Sequence, residues 1–153
     1  NDGAPLETTI NRPEHSDYQA AVDRSPVVDL EEILQHLDDP QRVVWDARSR
    51  AEYLGEKRIN ANKAGHIPGA RHLEWTDTLV GTEDWRLKDS NSLKALLSAQ
   101  GITADKEIIT HCQTHRRSGL TYLVAKSLGY PRIRCYDGSW FEWGNLPDTP
   151  VEQ

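Results

Sequence analysis

From Pro26 to the C-terminal end, short apolar runs alternate with amphipathic helical patterns, and this alternation restricts the fold more than any other feature of the chain. Val43-Val44-Trp45 and Ile108-Ile109-Thr110 read as buried strands, with shorter candidates at Val27-Val28, Arg71-His72-Leu73 and Ile133-Arg134-Cys135. Between them, Asp29 precedes LEEILQHL, in which Leu30, Ile33, Leu34 and Leu37 share one face. Asp89 or Ser90 caps SLKALLSAQ, which stops at Gly101. Ser118 precedes GLTYLVAKSLGY, with Leu120, Val124 and Leu128 at helical spacing and Gly129 as the stop. Strands alternating with helices imply an α/β fold, a parallel sheet with helices on both faces. Asn1 to Ser25 is polar and aperiodic, with Pro5 and Pro13, and reads as a linker or arm, leaving residues 26–153 as one domain.

Composition narrows the function. A formal charge of -6 argues against nonspecific binding to nucleic acid or an anionic membrane, which needs a basic face. No apolar stretch approaches the ~20 residues of a membrane span. Two cysteines, Cys112 and Cys135, are too few for a disulfide framework and fit a reducing, cytoplasmic compartment. The opening NDGAPLETTI lacks the basic start and apolar middle of a secretory signal. The chain holds no methionine, even at position 1, so it is expected to be a piece of a longer protein.

The stretch IITHCQTHRRSGLTYL, Ile108 to Leu123, carries the chemistry. It places Cys112–Arg117 in the loop between a central strand and a helix, at the carboxyl edge of the sheet, where ligands of open α/β folds sit. Such a loop aims several backbone N–H groups at one point. Thiols at helix N-termini beside cationic side chains ionise readily. Arg116 and Arg117 supply fixed positive charge there, and His115 is a further candidate. Three readings compete: a buried structural cysteine beside solvated arginines, a metal site of His111, Cys112 and His115, or a nucleophile acting on an anionic substrate. The metal reading lacks a fourth ligand at suitable spacing, and His111 is expected on the face opposite Cys112.

Four motifs, WDARSRAEY at Trp45–Tyr53, AGHIPGARHLEW at Ala64–Trp75, HCQTHRRSG at His111–Gly119 and YDGSWFEWGN at Tyr136–Asn145, resemble the rhodanese superfamily. More closely, they are similar to the catalytic C-terminal domain of tandem-domain bacterial thiosulfate sulfurtransferases. The resemblance implies a three-layer rhodanese-like fold with a five-stranded parallel sheet. It also implies an inactive N-terminal rhodanese domain from the same precursor, which residues 1–25 would follow. The Cdc25-type phosphatases and arsenate reductases share that fold, but their loop carries an arginine six positions after the cysteine; here that position is Ser118 and Arg117 comes one residue early. The shorter loop suits a terminal sulfur better than a tetrahedral oxyanion.

The implied reaction is double displacement. The Cys112 thiolate attacks the outer sulfur of thiosulfate, sulfite leaves, and cyanide or a thiol removes the sulfur from the resulting persulfide. No cofactor and no metal is implied beyond this covalent intermediate. Backbone N–H groups of Gln113, Thr114, His115, Arg116 and Arg117 are expected to stabilise the terminal sulfur much as an oxyanion hole does, where removing one donor costs about 3 kcal/mol of barrier lowering. The resemblance assigns Arg48 to the sulfonate oxygens, with an ion pair to Glu52 as the alternative, and the basic loop favours thiosulfate over 3-mercaptopyruvate. A second histidine is commoner in close relatives where Arg116 stands. Trp140 is expected to wall the pocket and Trp143 to pack in the core. Asp46 is read as a partner of neighbouring backbone or of Arg48, His66 as a packed, hydrogen-bonded histidine, and Cys135 as a buried core thiol. The competing class is a noncatalytic rhodanese module, which usually lacks the cysteine.

Overall fold

The computed structural model describes Gly3, Pro5 and residues 7–153. Residues 7–24 carry no helix or strand and are exposed. Four strands form one parallel sheet: β1 (Arg42–Asp46), β2 (Arg71–His72), β3 (Glu107–His111) and β4 (Ile133–Cys135), in the order β2-β1-β3-β4. Five helices surround it: α1 (Leu30–Gln35), α2 (Arg50–Tyr53), α3 (Ser90–Ala99), α4 (Arg116–Ser127) and α5 (Ser139–Trp143).

The expected fifth strand is absent as a strand. Val27 forms a single parallel bridge to Cys135, with the Val28 N–H donating to the Cys135 carbonyl and the Cys135 N–H to the Pro26 carbonyl. The segment cannot extend the ladder because Asp29, one residue on, already caps α1 by accepting from the Glu32 N–H at 2.9 Å.

Alternation along the strands divides the core into two layers. Val44 and Ile109 point to one face, where Ile33 of α1, Tyr53 of α2, and Trp140 and Trp143 of α5 pack. Val43, Trp45 and Ile108 point to the other, against Leu97 of α3 and Ala125 of α4. Each such fully buried large side chain contributes roughly 1.5–3 kcal/mol. Parallel strands covered on both faces are buried on successive residues, as Val43 through Asp46 are, and here the run is apolar up to Trp45. Trp45 is held further by its indole N–H, which donates to the Leu73 carbonyl at 2.8 Å.

Helix ends follow the chain's local chemistry. Asp89 caps α3 through the N–H groups of Asn91 and Ser92, and Gly101 takes φ +71° just past its end. Ser49 and Glu52 form a reciprocal capping box at α2. Helix α4 begins at Arg116, two residues before the expected start at Ser118, because His115 adopts φ 60° and its carbonyl accepts from the Gly119 N–H at 3.1 Å. The catalytic-loop candidate is therefore Cys112–His115, and both arginines lie in the first turn of the helix. No helix among the described residues is long and apolar enough to cross a membrane.

Candidate active site at Cys112

Strand β3 delivers Cys112 to the carboxyl edge of the sheet, one residue past His111. The loop that follows is pinned from the opposite side by α5: the Trp140 N–H donates to the Cys112 carbonyl and the Phe141 N–H to the Gln113 carbonyl, both at 2.9 Å. The Gln113 amide N–H adds a 2.6 Å bond to the Ile59 carbonyl. Ser139, a buried residue at φ 53°, places its Oγ 3.4 Å from the Cys112 N–H as acceptor while donating to the Tyr136 carbonyl. Non-glycine residues in this left-handed region cost on the order of 1–3 kcal/mol and cluster at functional sites.

With the loop so held, its amides are left without protein partners. Among the described residues, no backbone N–H of residues 113–118 donates to a protein acceptor. The last three are the unsatisfied first-turn donors of α4; the first three, ahead of the left-handed His115, extend them into a nest for an anion. The Cys112 residue itself is 1% exposed, and its neighbours include the Ser139 hydroxyl at its N–H and the Arg117 guanidinium.

The two arginines have different roles. Arg117 makes a two-pronged pair with Glu52, Nη1 to Oε2 at 2.7 Å and Nη2 to Oε1 at 2.8 Å, and the nearby Cys112 adds to what favours its charged form. The Glu52 hydrogen bonds, chiefly, raise Arg117 above its ordinary value. Burial acts to raise the Glu52 carboxyl, but Arg117 and Ser49 outweigh it and hold it below the usual carboxylate range. Arg116 is exposed and, among the described residues, has no acidic partner. Thr114 is exposed as well. His115 was a candidate third cation; burial lowers it from its ordinary value, so it is neutral near pH 7. Its Nδ1 lies 2.7 Å from Ser118 Oγ.

Arg48 is turned away from solvent at 1% exposure. Of its two expected carboxylate partners it takes Asp46 and not Glu52: Nε lies 3.0 Å from both carboxylate oxygens and Nη2 is 2.6 Å from Oδ2. Nη2 also donates to the Gly65 carbonyl, and the guanidinium lies 4.3 Å from the Trp140 ring centroid. Two residues after a strand end, the side chain folds back onto Asp46. Trp140 is 2% exposed and connects the Cys112 loop to this pair.

His111 and His115 do not converge on Cys112 as ligands: His111 Nδ1 lies 3.2 Å from the Cys112 carbonyl, and no group of three His, Cys, Asp or Glu side chains among the described residues is arranged to hold a metal. His66 is stacked on Tyr53 at 3.7 Å with Nδ1 2.8 Å from the Tyr53 carbonyl. Trp143 is fully buried, and its indole N–H donates to the Pro150 carbonyl. Burial pushes the Cys135 thiol up to about 11, so it stays protonated. Two site residues escape a linear reading, Glu52 and Ser139. The S-x-x-E spacing of Ser49 and Glu52 signals a helix start; nothing in it signals the partner on α4.

Comparison with known proteins agrees with this geometry. Residues 29–146 match the family described as Rhodanese-like domain. A thiosulfate sulfurtransferase of Azotobacter vinelandii is 47% identical over 97% of this chain and 54% of its own length. One from Pseudomonas aeruginosa is 46% identical over 99% of this chain and 55% of its own. The chain thus spans about half the length of the curated relatives it matches. Among solved structures, the anaerobic ergothioneine biosynthesis enzyme from Chlorobium limicola, bound to trimethyl histidine, superposes with a TM-score of 0.76 at 28% identity, covering 84% of this chain and 32% of that one. The chain belongs to the rhodanese-like domain family.

Proposed function

We propose that this chain is a thiosulfate sulfurtransferase domain working through a Cys112 persulfide. The observation that carries the reading is the run of N–H groups at residues 113–118, unpaired among the described residues, that directly follows a buried cysteine and has Arg117 nearby. Such an arrangement stabilises negative charge on sulfur before and after transfer without a general base. In the first half-reaction the Cys112 sulfur bonds to the outer sulfur of thiosulfate, the S–S bond of the donor breaks, and sulfite leaves with the electron pair. In the second, cyanide or a thiolate attacks the terminal sulfur and Cys112 departs as thiolate. Donors fixed in advance at that terminal sulfur lower both barriers. The persulfide is the covalent intermediate, and no other cofactor enters.

Two further observations support the reading. The relatives of highest identity given above are named for this activity, and an EanB variant related to this chain has been solved in a cysteine-persulfide state with ergothioneine, at 29% identity and a TM-score of 0.76. A 3-mercaptopyruvate sulfurtransferase of Escherichia coli is also related, at 31% identity over 95% of this chain. The exposed, unpaired Arg116 favours the dianionic donor over the monoanionic one. The half-length match supports a second domain of the same precursor as partner, and two unpaired cysteines fit a reducing, cytoplasmic setting.

Steady-state turnover with cyanide as acceptor and either donor tests the proposal. Thiosulfate should give the higher kcat/KM, and Cys112→Ser should abolish turnover with both. Equal or better turnover of 3-mercaptopyruvate would reassign the donor; activity surviving in Cys112→Ser would remove Cys112 from the reaction.

A further inference from the structure

Glu52 stands outside the cysteine loop, on a different helix, yet it is the group most tightly bonded to the loop's inner cation. Its carboxylate is 3% exposed and accepts four bonds: two from Arg117, one from the Ser49 hydroxyl at 2.7 Å and one from the Ser49 N–H at 3.2 Å. Ser49 and Glu52 belong to the connection after β1, whereas Arg117 belongs to the one after β3, the neighbouring strand. The pair therefore clips together the two strand-to-helix connections that frame Cys112. A fork-to-fork pair fixes the plane of the guanidinium as well as its position, which a lysine or an unclamped arginine does not.

The clip also divides the positive charge of the site. Arg117, balanced by Glu52, brings little net charge to the neighbourhood of the sulfur. Arg116, unbalanced, presents its charge to solvent. An unbalanced Arg117 would hold the thiolate too firmly, and thiolates stabilised this way lose intrinsic nucleophilicity.

Resting on the sulfur-transfer reading above, we propose that Glu52 is a positioning residue for the reaction: through its two-pronged grip on Arg117 it fixes the donor beside Cys112 and tempers the charge that the thiolate feels. Other charged groups around the cysteine come from the strand ends and the loop after β4, namely Asp46 paired with Arg48, and Asp137 acting on His115.

Two readouts on Glu52→Gln and Glu52→Ala test this. The first is the pH profile of Cys112 alkylation by iodoacetamide, followed on the Cys112 peptide. The second is the single-turnover rate of persulfide formation from thiosulfate. Both variants should shift the alkylation midpoint to lower pH, because the counter-charge of Arg117 is gone. Persulfide formation should slow by about tenfold to a hundredfold in Glu52→Ala, the scale of a misplaced reacting group. Glu52→Gln retains one acceptor and should recover part of that rate but none of the pH shift. Wild-type midpoints and rates in the folded Gln variant would overturn the proposal, leaving Glu52 a structural clip. Alkylation uses no thiosulfate, so a wild-type protein that never acquires sulfur would defeat the sulfurtransferase reading while the pH profile still reports on Glu52.

Discussion

Asp46 and His111 face each other at matching positions of β1 and β3, Oδ2 3.6 Å from Nε2, with both side chains fully buried and no hydrogen bond between them. His111 Nδ1 donates to the Cys112 carbonyl, which leaves the Nε2 of the neutral ring as a bare acceptor beside a carboxylate. Burial holds the ring neutral, lowering it to about 4 against the attraction of Asp46. Burial would also raise Asp46, but His111, once protonated at low pH, and the Arg48 guanidinium outweigh it and keep the carboxyl below its usual range.

A pH dependence of stability follows with a definite sign. The unfolded chain protonates this histidine below its ordinary value of 6.5, and the folded chain does so only near 4. Within that window the unfolded state binds more protons, so stability falls as pH falls, by up to about 1 kcal/mol per pH unit. Thermal melts of wild type and His111→Asn at pH 7 and pH 5 check this: the variant should lose less on acidification. Equal losses would show that His111 does not couple to folding.

The Asp46–Arg48 pair is buried on both sides. Arg48→Met removes one partner and leaves a carboxylate without compensation beneath Trp140, a loss of about 3–5 kcal/mol. Urea denaturation should show a reduced midpoint at unchanged slope. A midpoint near that of wild type would place Asp46 in contact with water or another cation.

Arg116 is expected to act by charge alone. Arg116→Gln should lower kcat/KM for thiosulfate by about threefold to tenfold and weaken its dependence on ionic strength, with kcat nearly unchanged. An effect on kcat of the same size would mean that the side chain contacts the reacting sulfur.

At Gly65, φ is +114° and a Cβ would sit 2.2 Å from the Glu152 carbonyl oxygen and 2.7 Å from a Val151 methyl. The backbone there pairs with the C-terminal segment, the His66 N–H donating to the Glu152 carbonyl at 2.9 Å. Gly65→Ala should destabilise by at least about 1–3 kcal/mol through strain and displaced backbone. A melting temperature within a degree of wild type would contradict it.

Much of this architecture is legible in the sequence because it depends on local rules. Apolar runs at Val43–Trp45 and Ile108–Thr110 became the central strands, and Asp29 and Asp89 cap the helices expected of them. The cysteine stands at the strand-to-helix junction that the spacing indicates. What escaped depends on tertiary partners. Val27-Val28 has strand composition but lacks room for a ladder before Asp29. His115 starts α4 through a left-handed backbone that no histidine advertises. Arg48 and Arg117 look interchangeable in a string of letters. Only the fold gives Glu52 to Arg117, whereas the pairing of Asp46 with Arg48, two residues apart, is among the sequence readings and is found.

In the proposed reaction Cys112 stores a sulfane sulfur as an anion held by the surrounding N–H groups and Arg117. Intact mass spectrometry of the protein treated with thiosulfate, then with cyanide, follows that sulfur. The protein should gain one sulfur atom, mapped to the peptide containing Cys112, and lose it completely with formation of thiocyanate. No gain, or a gain on Cys135, would contradict it.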